Sequence, residues 1–235
     1  MADHVIGHAG AASAAVSSLA PIEQTPLKVQ IADQLRRAIV TGRLRPGAVL
    51  VETALAEQLN VSRAPIREAV QILENDGLVE TAAYKGKRVK PLTIREVVET
   101  CEMRTVFEVT AARRILAQGT AVETLWQPCQ AMAEAAAAGD REALVAADET
   151  FHRMLIALSG HALLMQLWAG LYLRIHQIMS LRNDRDVNLV DIAANHPPIV
   201  RALAARDGAL AERLIGEHTH ALASFDPAAV AEQDA

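Results

Sequence analysis

Between Pro26 and Gly42 the apolar positions Ile31, Leu35 and Ile39 recur at helical spacing. The pattern predicts a helix with Thr25 as N-cap, Pro26 at its first position and Gly42 as its stop. Leu44-Arg45-Pro46-Gly47 reads as a turn and 48–51 as a short strand. A second helix is expected over about 53–59, with Leu55 and Leu59 inward. Asn60 suits the left-handed conformation of a tight helix-to-helix turn. Ser62 is a natural N-cap for a third helix that carries Pro65 in its first turn and Ile66, Ala69, Val70 and Leu73 as its apolar stripe. Asp76-Gly77 ends that helix. Then come 78–81, a polar link, and the basic run 85–90, and two short strands around a Gly-containing tip make a hairpin. From Thr93 onward the period stays helical. Stretches are expected at about 93–117, 121–138, 140–158, 162–182, 186–194, 197–206 and 208–224, broken near Gly119, Gly139, Gly160, Asn183 and Pro197-Pro198. Leu163, Leu164, Leu167, Leu171 and Ile175 are expected in the core.

The order helix, strand, helix, turn, helix, hairpin predicts a winged helix-turn-helix, followed by an antiparallel all-α bundle. The fold class is therefore mainly α. The expected organisation is a flexible tail over 1–25, a DNA-binding domain over 26–91, a helical effector-binding and dimerisation domain over 92–228 and a short tail over 229–235.

Charge sharpens this division. Residues 26–91 carry 11 Lys/Arg against 7 Asp/Glu, whereas 92–235 carry 12 against 19, so a basic module is joined to an acidic one. That asymmetry suggests a nucleic-acid reader attached to a second function. Cys101 and Cys129 form no paired motif, and no apolar run approaches a membrane span, so a cytoplasmic protein without a membrane partner is expected. The Ala/Ser-rich first twenty residues have no basic n-region and do not read as a signal peptide.

Two residue sets carry chemistry. Arg63 and Arg67 stand four apart on the third helix, opposite its apolar stripe. Like charges there cost a few tenths of a kcal/mol (about 0.2–0.5), which an anion placed against that face offsets. A recognition helix in the major groove, with the basic hairpin along the backbone or in the minor groove, would supply that anion. Ser62, Arg63, Ala64, Arg67 and Gln71 on the helix and Lys85, Gly86 and Lys87 on the hairpin are the candidate DNA contacts. In the second half Asp148 and His152 are i and i+4 on one helix, His196 opens a later helix and His218 lies in the last. Three imidazoles and a carboxylate suit a divalent ion such as Zn²⁺, Ni²⁺ or Mn²⁺; the alternative is histidines satisfied in the core or at the surface. His220 points to another side of its helix from His218, and His161 and His176 read as ordinary. Arg104 and Glu108 form an i,i+4 pair, read as a salt bridge.

The stretches Gly42-Arg43-Leu44-Arg45-Pro46-Gly47, Leu55-Ala56, Val61-Ser62-Arg63-Ala64-Pro65-Ile66-Arg67-Glu68-Ala69 and Asp76-Gly77-Leu78 resemble the GntR family of bacterial transcription regulators. The resemblance implies that Arg63 and Arg67 read or clamp operator DNA and that Lys85 and Gly86 form the wing tip. The chain departs at Ala54, where many relatives carry arginine, and at Ala64, where threonine is common. Asp148-Glu149-Thr150-Phe151-His152, His196-Pro197-Pro198-Ile199, Asp207-Gly208 and Glu217-His218 resemble the ligand-binding domain of the FadR subgroup. That likeness implies a metal held by Asp148, His152, His196 and His218, with Arg104 facing the cavity to grip a carboxylate effector. Asn195, the double proline and the order Asp207-Gly208 depart from the pattern.

The expected function is a homodimeric transcription regulator, a repressor, that binds double-stranded operator DNA and responds to a small organic acid near a divalent metal. Two alternatives stand beside it. One is a bundle-type metalloenzyme, against which no His-Glu-x-x-His helix and no positioned general base are evident. The other is the same regulator with purely structural histidines.

Overall fold

A computed structural model of the protein describes residues 25–82, 86–183 and 188–227. Lys85 and the expected terminal tails, apart from Thr25, lie outside the described residues. The first helix, α1 (Leu27–Val40), begins one residue later than the composition of its start suggests: Pro26, not Thr25, is the N-cap, and no side chain caps it. Strand β1 (Val49–Leu50) leads into α2 (Glu52–Leu59), and Asn60 closes α2 in the left-handed conformation at φ 51 and ψ 49. A short Asx side chain tolerates that region, so the turn into α3 (Arg63–Asn75) can be tight. Ser62 holds the N-cap position with extended backbone, yet its hydroxyl makes no capping bond. It is instead exposed beside the two arginines.

Ile66, Ala69, Val70 and Leu73 are buried as the pattern predicts, against Ile31, Leu35 and Ile39 of α1. Each large aliphatic contributes on the order of 2 kcal/mol of burial. The segment 78–81 is not a polar link. Leu78 and Val79 are fully buried, and β2 (Val79–Ala82) pairs antiparallel with β3 (Gly86–Val89), Val79 opposite Val89. Strand β1 joins the far side of β3, giving the order β1-β3-β2 and tying the hairpin to the helices.

The second half is helical throughout its described residues. Helix α4 (Ile94–Gln118) starts at a reciprocal capping box, Thr93 with Glu96, and stops at Gly119 in the left-handed region. A 3₁₀ turn (Glu123–Leu125) precedes α5 (Trp126–Ala138), so that helix begins later than its apolar pattern suggests. Then follow α6 (Arg141–Leu158), α7 (Ala162–Asn183), α8 (Leu189–Ala194), α9 (Pro197–Ala204) and α10 (Gly208–Ala223). Asp140, Asn188 and Asp207 cap α6, α8 and α10 through their side chains. The Asp207-Gly208 order thus makes an N-cap, and the left-handed backbone falls on Arg206 at φ 57.

One core expectation fails. Leu164 and Ile175 are buried, but Leu163 and Leu167 are exposed at 57% and 52%. Helix α7 is apolar around most of its circumference, so periodicity alone cannot say which stripe meets the core. The same helix touches the first half of the chain through Leu173, which packs against the core of α1 and α3, while Arg174 reaches Glu96 at the start of α4 within the second half.

Candidate nucleic-acid interface and metal centre

On α3 the residues Arg63, Ala64, Arg67 and Gln71 form one exposed face. The first two cations share a counterion that sequence reasoning missed. Glu52 Oε2, at the first turn of α2, lies 3.7 Å from Arg63 Nη2 and 3.4 Å from Arg67 Nε. The anion that relieves the arginine pair in the free protein is therefore internal. Both arginine side chains remain more than half exposed, at 58% and 68%. Their tie to Glu52 is long and water-accessible, so a phosphate can replace it at little cost. Gln71 donates to Glu74 and Asn75 of its own helix.

The hairpin is less free than its charge count suggests. Lys87 Nζ donates to Glu74 Oε2 at 2.5 Å and to Thr81 Oγ1. Arg88 pairs with Glu80, and Lys90 with Glu96. Lysine bonding holds the Glu74 carboxyl below its ordinary range. Leu50, Glu52, Arg63, Thr81, Gly86 and Lys87 line one shallow depression, so the start of α3 and the hairpin face the same side.

The second site is buried, apart from the half-buried His218. Asp148 and His152 point inward from α6, His196 from the N-cap of α9 and His218 from α10. One ligand atom from each lies within 4.8 Å of all the others. His152 Nε2 is 3.3 Å from His196 Nε2 and 3.1 Å from His218 Nε2, and His196 Nε2 is 3.0 Å from Asp148 Oδ1. Nitrogens bound to one tetrahedral ion at ~2.0–2.1 Å stand about 3.3 Å apart, which this spacing matches. The tautomers suit the same purpose. His196 Nδ1 faces the carbonyl of Ile192 at 3.0 Å, which places its proton there and leaves Nε2 with a lone pair. His152 Nδ1 is 3.0 Å from Glu108 Oε1, off the ideal hydrogen-bond angle but electrostatically favourable. Asp148 Oδ2 is buried without a hydrogen-bond partner. The double proline does not displace His196, because the first turn of α9 needs no amide donor there. The four groups could hold a divalent ion.

Phe151 sets the imidazoles edge-on, with ring centroids 5.1 Å from His152 and 4.8 Å from His196. Arg104 is no surface pair. It is buried, donates through Nε to Glu108 Oε1 at 2.7 Å, and brings Nη2 to 2.5 Å from His152 Nε2 and 3.1 Å from His218 Nε2. Burial opposes ionisation of Glu108, but His152 and Arg104 outweigh it and hold the carboxyl at about 2. Burial, with His196, Arg104 and His152 beside it, pushes His218 well below its ordinary value. Burial also opposes the charged form of Asp148, and His152 and His196 more than compensate. His220 is exposed, while His161 Nδ1 accepts from the amide of Leu164. Glu108 as the partner of His152 escaped the sequence reading. Its signal was the placement of Arg104 and Glu108 within the otherwise apolar buried stripe Cys101, Ala111 and Ile115.

Residues 27–89 match the profile described as bacterial regulatory proteins, gntR family, and residues 99–221 match the FCD domain. The chain belongs to the GntR family of transcription regulators. Among its relatives is the "Probable D-xylose utilization operon transcriptional repressor" of Paenarthrobacter nicotinovorans, 35% identical over 88% of this chain and 90% of that protein. The gluconate operon transcriptional repressor of Bacillus subtilis is 25% identical over 77% of each chain. A solved GntR regulator from Rhodococcus sp. RHA1 superposes with a TM-score of 0.74, is 25% identical, and covers 88% of this chain and 99% of its own. The fold is also that of E. coli McbR/YncC, at a TM-score of 0.71 and 21% identity over 90% and 100% of the two chains. The domains and relatives of this GntR-family chain are transcription regulators rather than enzymes. Among its described residues no helix is long and apolar enough to cross a membrane.

Proposed function

We propose that this GntR-family regulator is a homodimeric repressor whose operator affinity is set by a small carboxylate bound beside a divalent metal. The observation that carries the reading is the convergence of three imidazole Nε2 atoms and Asp148 in a bundle joined to an exposed arginine face. Arg63, Arg67 and Gln71, with Ser62 and Ala64 at the helix start, would enter the major groove, and Gly86 and Lys87 would follow the backbone beside Lys85. Asp148, His152, His196 and His218 would hold the ion, which would supply a Lewis-acidic point for an organic acid. Repression is supported by the relatives from Paenarthrobacter nicotinovorans and Bacillus subtilis, both named as operon repressors.

The dimer reading is supported by apolar side chains that the chain leaves outside: Leu163 and Leu167 on α7, and Met103 and Val106 on the adjoining α4. Coupling between the sites is supported by α7 itself. Trp168 lies beside His152, with ring centroids 6.5 Å apart; one to two turns on, Leu173 meets the core of the DNA-binding half, and Arg174 meets Glu96, the partner of Lys90. A ligand that shifts α7 therefore has a mechanical route to the recognition helices.

The test joins selection of duplexes from a random DNA library with metal analysis of the purified protein. Enrichment of one palindromic motif, lost in Arg67→Ala, is expected together with one metal per chain, lost in His152→Ala and His218→Ala. No enriched motif would sink the DNA reading. Wild-type protein without metal would leave a regulator with structural histidines.

A further inference from the structure

Arg104 has a position that a carboxylate clamp alone does not explain. Its Nη2 lies within hydrogen-bonding reach of the Nε2 atoms of both His152 and His218. These are the same atoms that converge with His196 and Asp148. A neutral imidazole with its proton on Nδ1 has one lone pair on Nε2, which accepts one N–H or binds one metal ion but not both. His152 keeps its proton on the Nδ1 side, where Glu108 Oε1 stands 3.0 Å away. A guanidinium is always charged, so it also repels a divalent ion a few ångströms away.

We infer that Arg104 and a divalent ion are alternative partners of His152 and His218, so that metal entry releases the guanidinium to receive a carboxylate. The inference rests on the metal reading above. Glu108 supplies the anchor. It holds Arg104 Nε at 2.7 Å, so a guanidinium that leaves the two imidazoles as a rigid plane stays beside the site through its carboxylate partner. Two further buried donors stand near the cluster. Tyr172 Oη and Trp168 Nε1 are buried without hydrogen-bond partners. Their rings lie 5.8 Å apart, and Trp168 is 6.5 Å from His152. A freed guanidinium, a phenol O–H and an indole N–H together offer donors and no acceptor but the phenol oxygen. That set fits an anion with several oxygen acceptors, a carboxylate, better than an amine or an apolar ligand. Metal and carboxylate then bind in order, because the first makes the second site.

The experiment is calorimetric titration of ZnCl₂ into chelator-stripped protein, comparing wild type with Arg104→Met, with Glu108→Gln and with the double variant Arg104→Met/Glu108→Gln. The double variant keeps the buried charges balanced, and read against Glu108→Gln alone it isolates Arg104 if Arg104→Met does not fold, because Glu108 also partners His152. Zinc affinity is expected to rise at least about tenfold when Arg104 is replaced, the order of one charge-assisted hydrogen bond no longer competing. Sodium acetate is expected to raise the melting temperature of wild type only with zinc bound, and to leave the folded Arg104 variant unmoved. Zinc bound by wild type with equal or higher affinity than by Arg104→Met, or by Glu108→Gln with equal or higher affinity than by the double variant, would overturn the inference while leaving the metal reading intact. No zinc bound by any of the four would overturn both. Acetate that stabilises metal-free and zinc-loaded wild type alike would overturn the ordered handover.

Discussion

Two of the arginine–glutamate contacts in this protein, one at the surface and one buried, have opposite consequences. On the DNA-binding half Glu52 stands 3.4 and 3.7 Å from Arg67 and Arg63, whose side chains are largely in water. In the bundle Glu108 holds Arg104 at 2.7 Å, with both side chains buried. The first arrangement is loose, screened and exchangeable, which suits a surface that trades an internal carboxylate for a DNA phosphate. The second is desolvated and connected to His152 and His218, so each member fixes the geometry of the others. The same pair of residue types is a spare counterion in one place and a positioning device in the other. Solvent access makes the difference.

The sharpest break of this contrast is Glu108→Ala. It strands a buried guanidinium and removes the acceptor beside His152 Nδ1. Urea unfolding is expected to report a loss of about 3–5 kcal/mol. A loss under about 1 kcal/mol, the range of an exposed pair, would erase the distinction. Next in size is Leu163→Asp with Leu167→Asp, which places charge on the exposed stripe of α7. Light scattering is expected to show dimer affinity lowered by about 2 kcal/mol or more, roughly thirtyfold, with the monomer still folded. Persistence of the dimer would move the interface elsewhere. Arg67→Ala is expected to cost about 1–3 kcal/mol of operator binding if it reads a base, or to flatten the salt dependence by about one phosphate if it clamps the backbone. Anisotropy titrations at several salt concentrations separate the two. The smallest effect belongs to Glu52→Gln. Releasing the internal counterion is expected to tighten DNA binding by a few tenths of a kcal/mol, up to about 1, and to change stability by less than about 0.5 kcal/mol. A weakening instead would mean that Glu52 orients the arginines rather than competing for them.

Much of the fold was legible because its signals are local. The stripe of α3, the left-handed Asn60 and the glycine stops each concern a few consecutive residues. Part of the buried site was legible too. Asp148 and His152 share a face by spacing alone, and the family resemblance pointed to His196 and His218. Other features were hidden for identifiable reasons. The basic run 85–90 looked like free charge, yet Lys87, Arg88 and Lys90 each meet a carboxylate from another strand or helix. Leu78 and Val79 looked like a link because two residues show no period, although their pairing with the hairpin buries them. Leu163 and Leu167 looked like core because a helix apolar around most of its circumference has no marked outer face.

By itself the sequence determined the helices, the tight turn before α3, the exposed arginine pair and the i,i+4 spacing of Asp148 with His152. These follow from side-chain periodicity and backbone preference within a few residues. Only the tertiary structure decided that His196 and His218 close on His152 across separations of 44 and 66 residues, and that Arg104 reaches the same two nitrogens. Such contacts depend on how helices pack and on which faces they turn to one another. Packing is a property of the assembled core that no local pattern encodes.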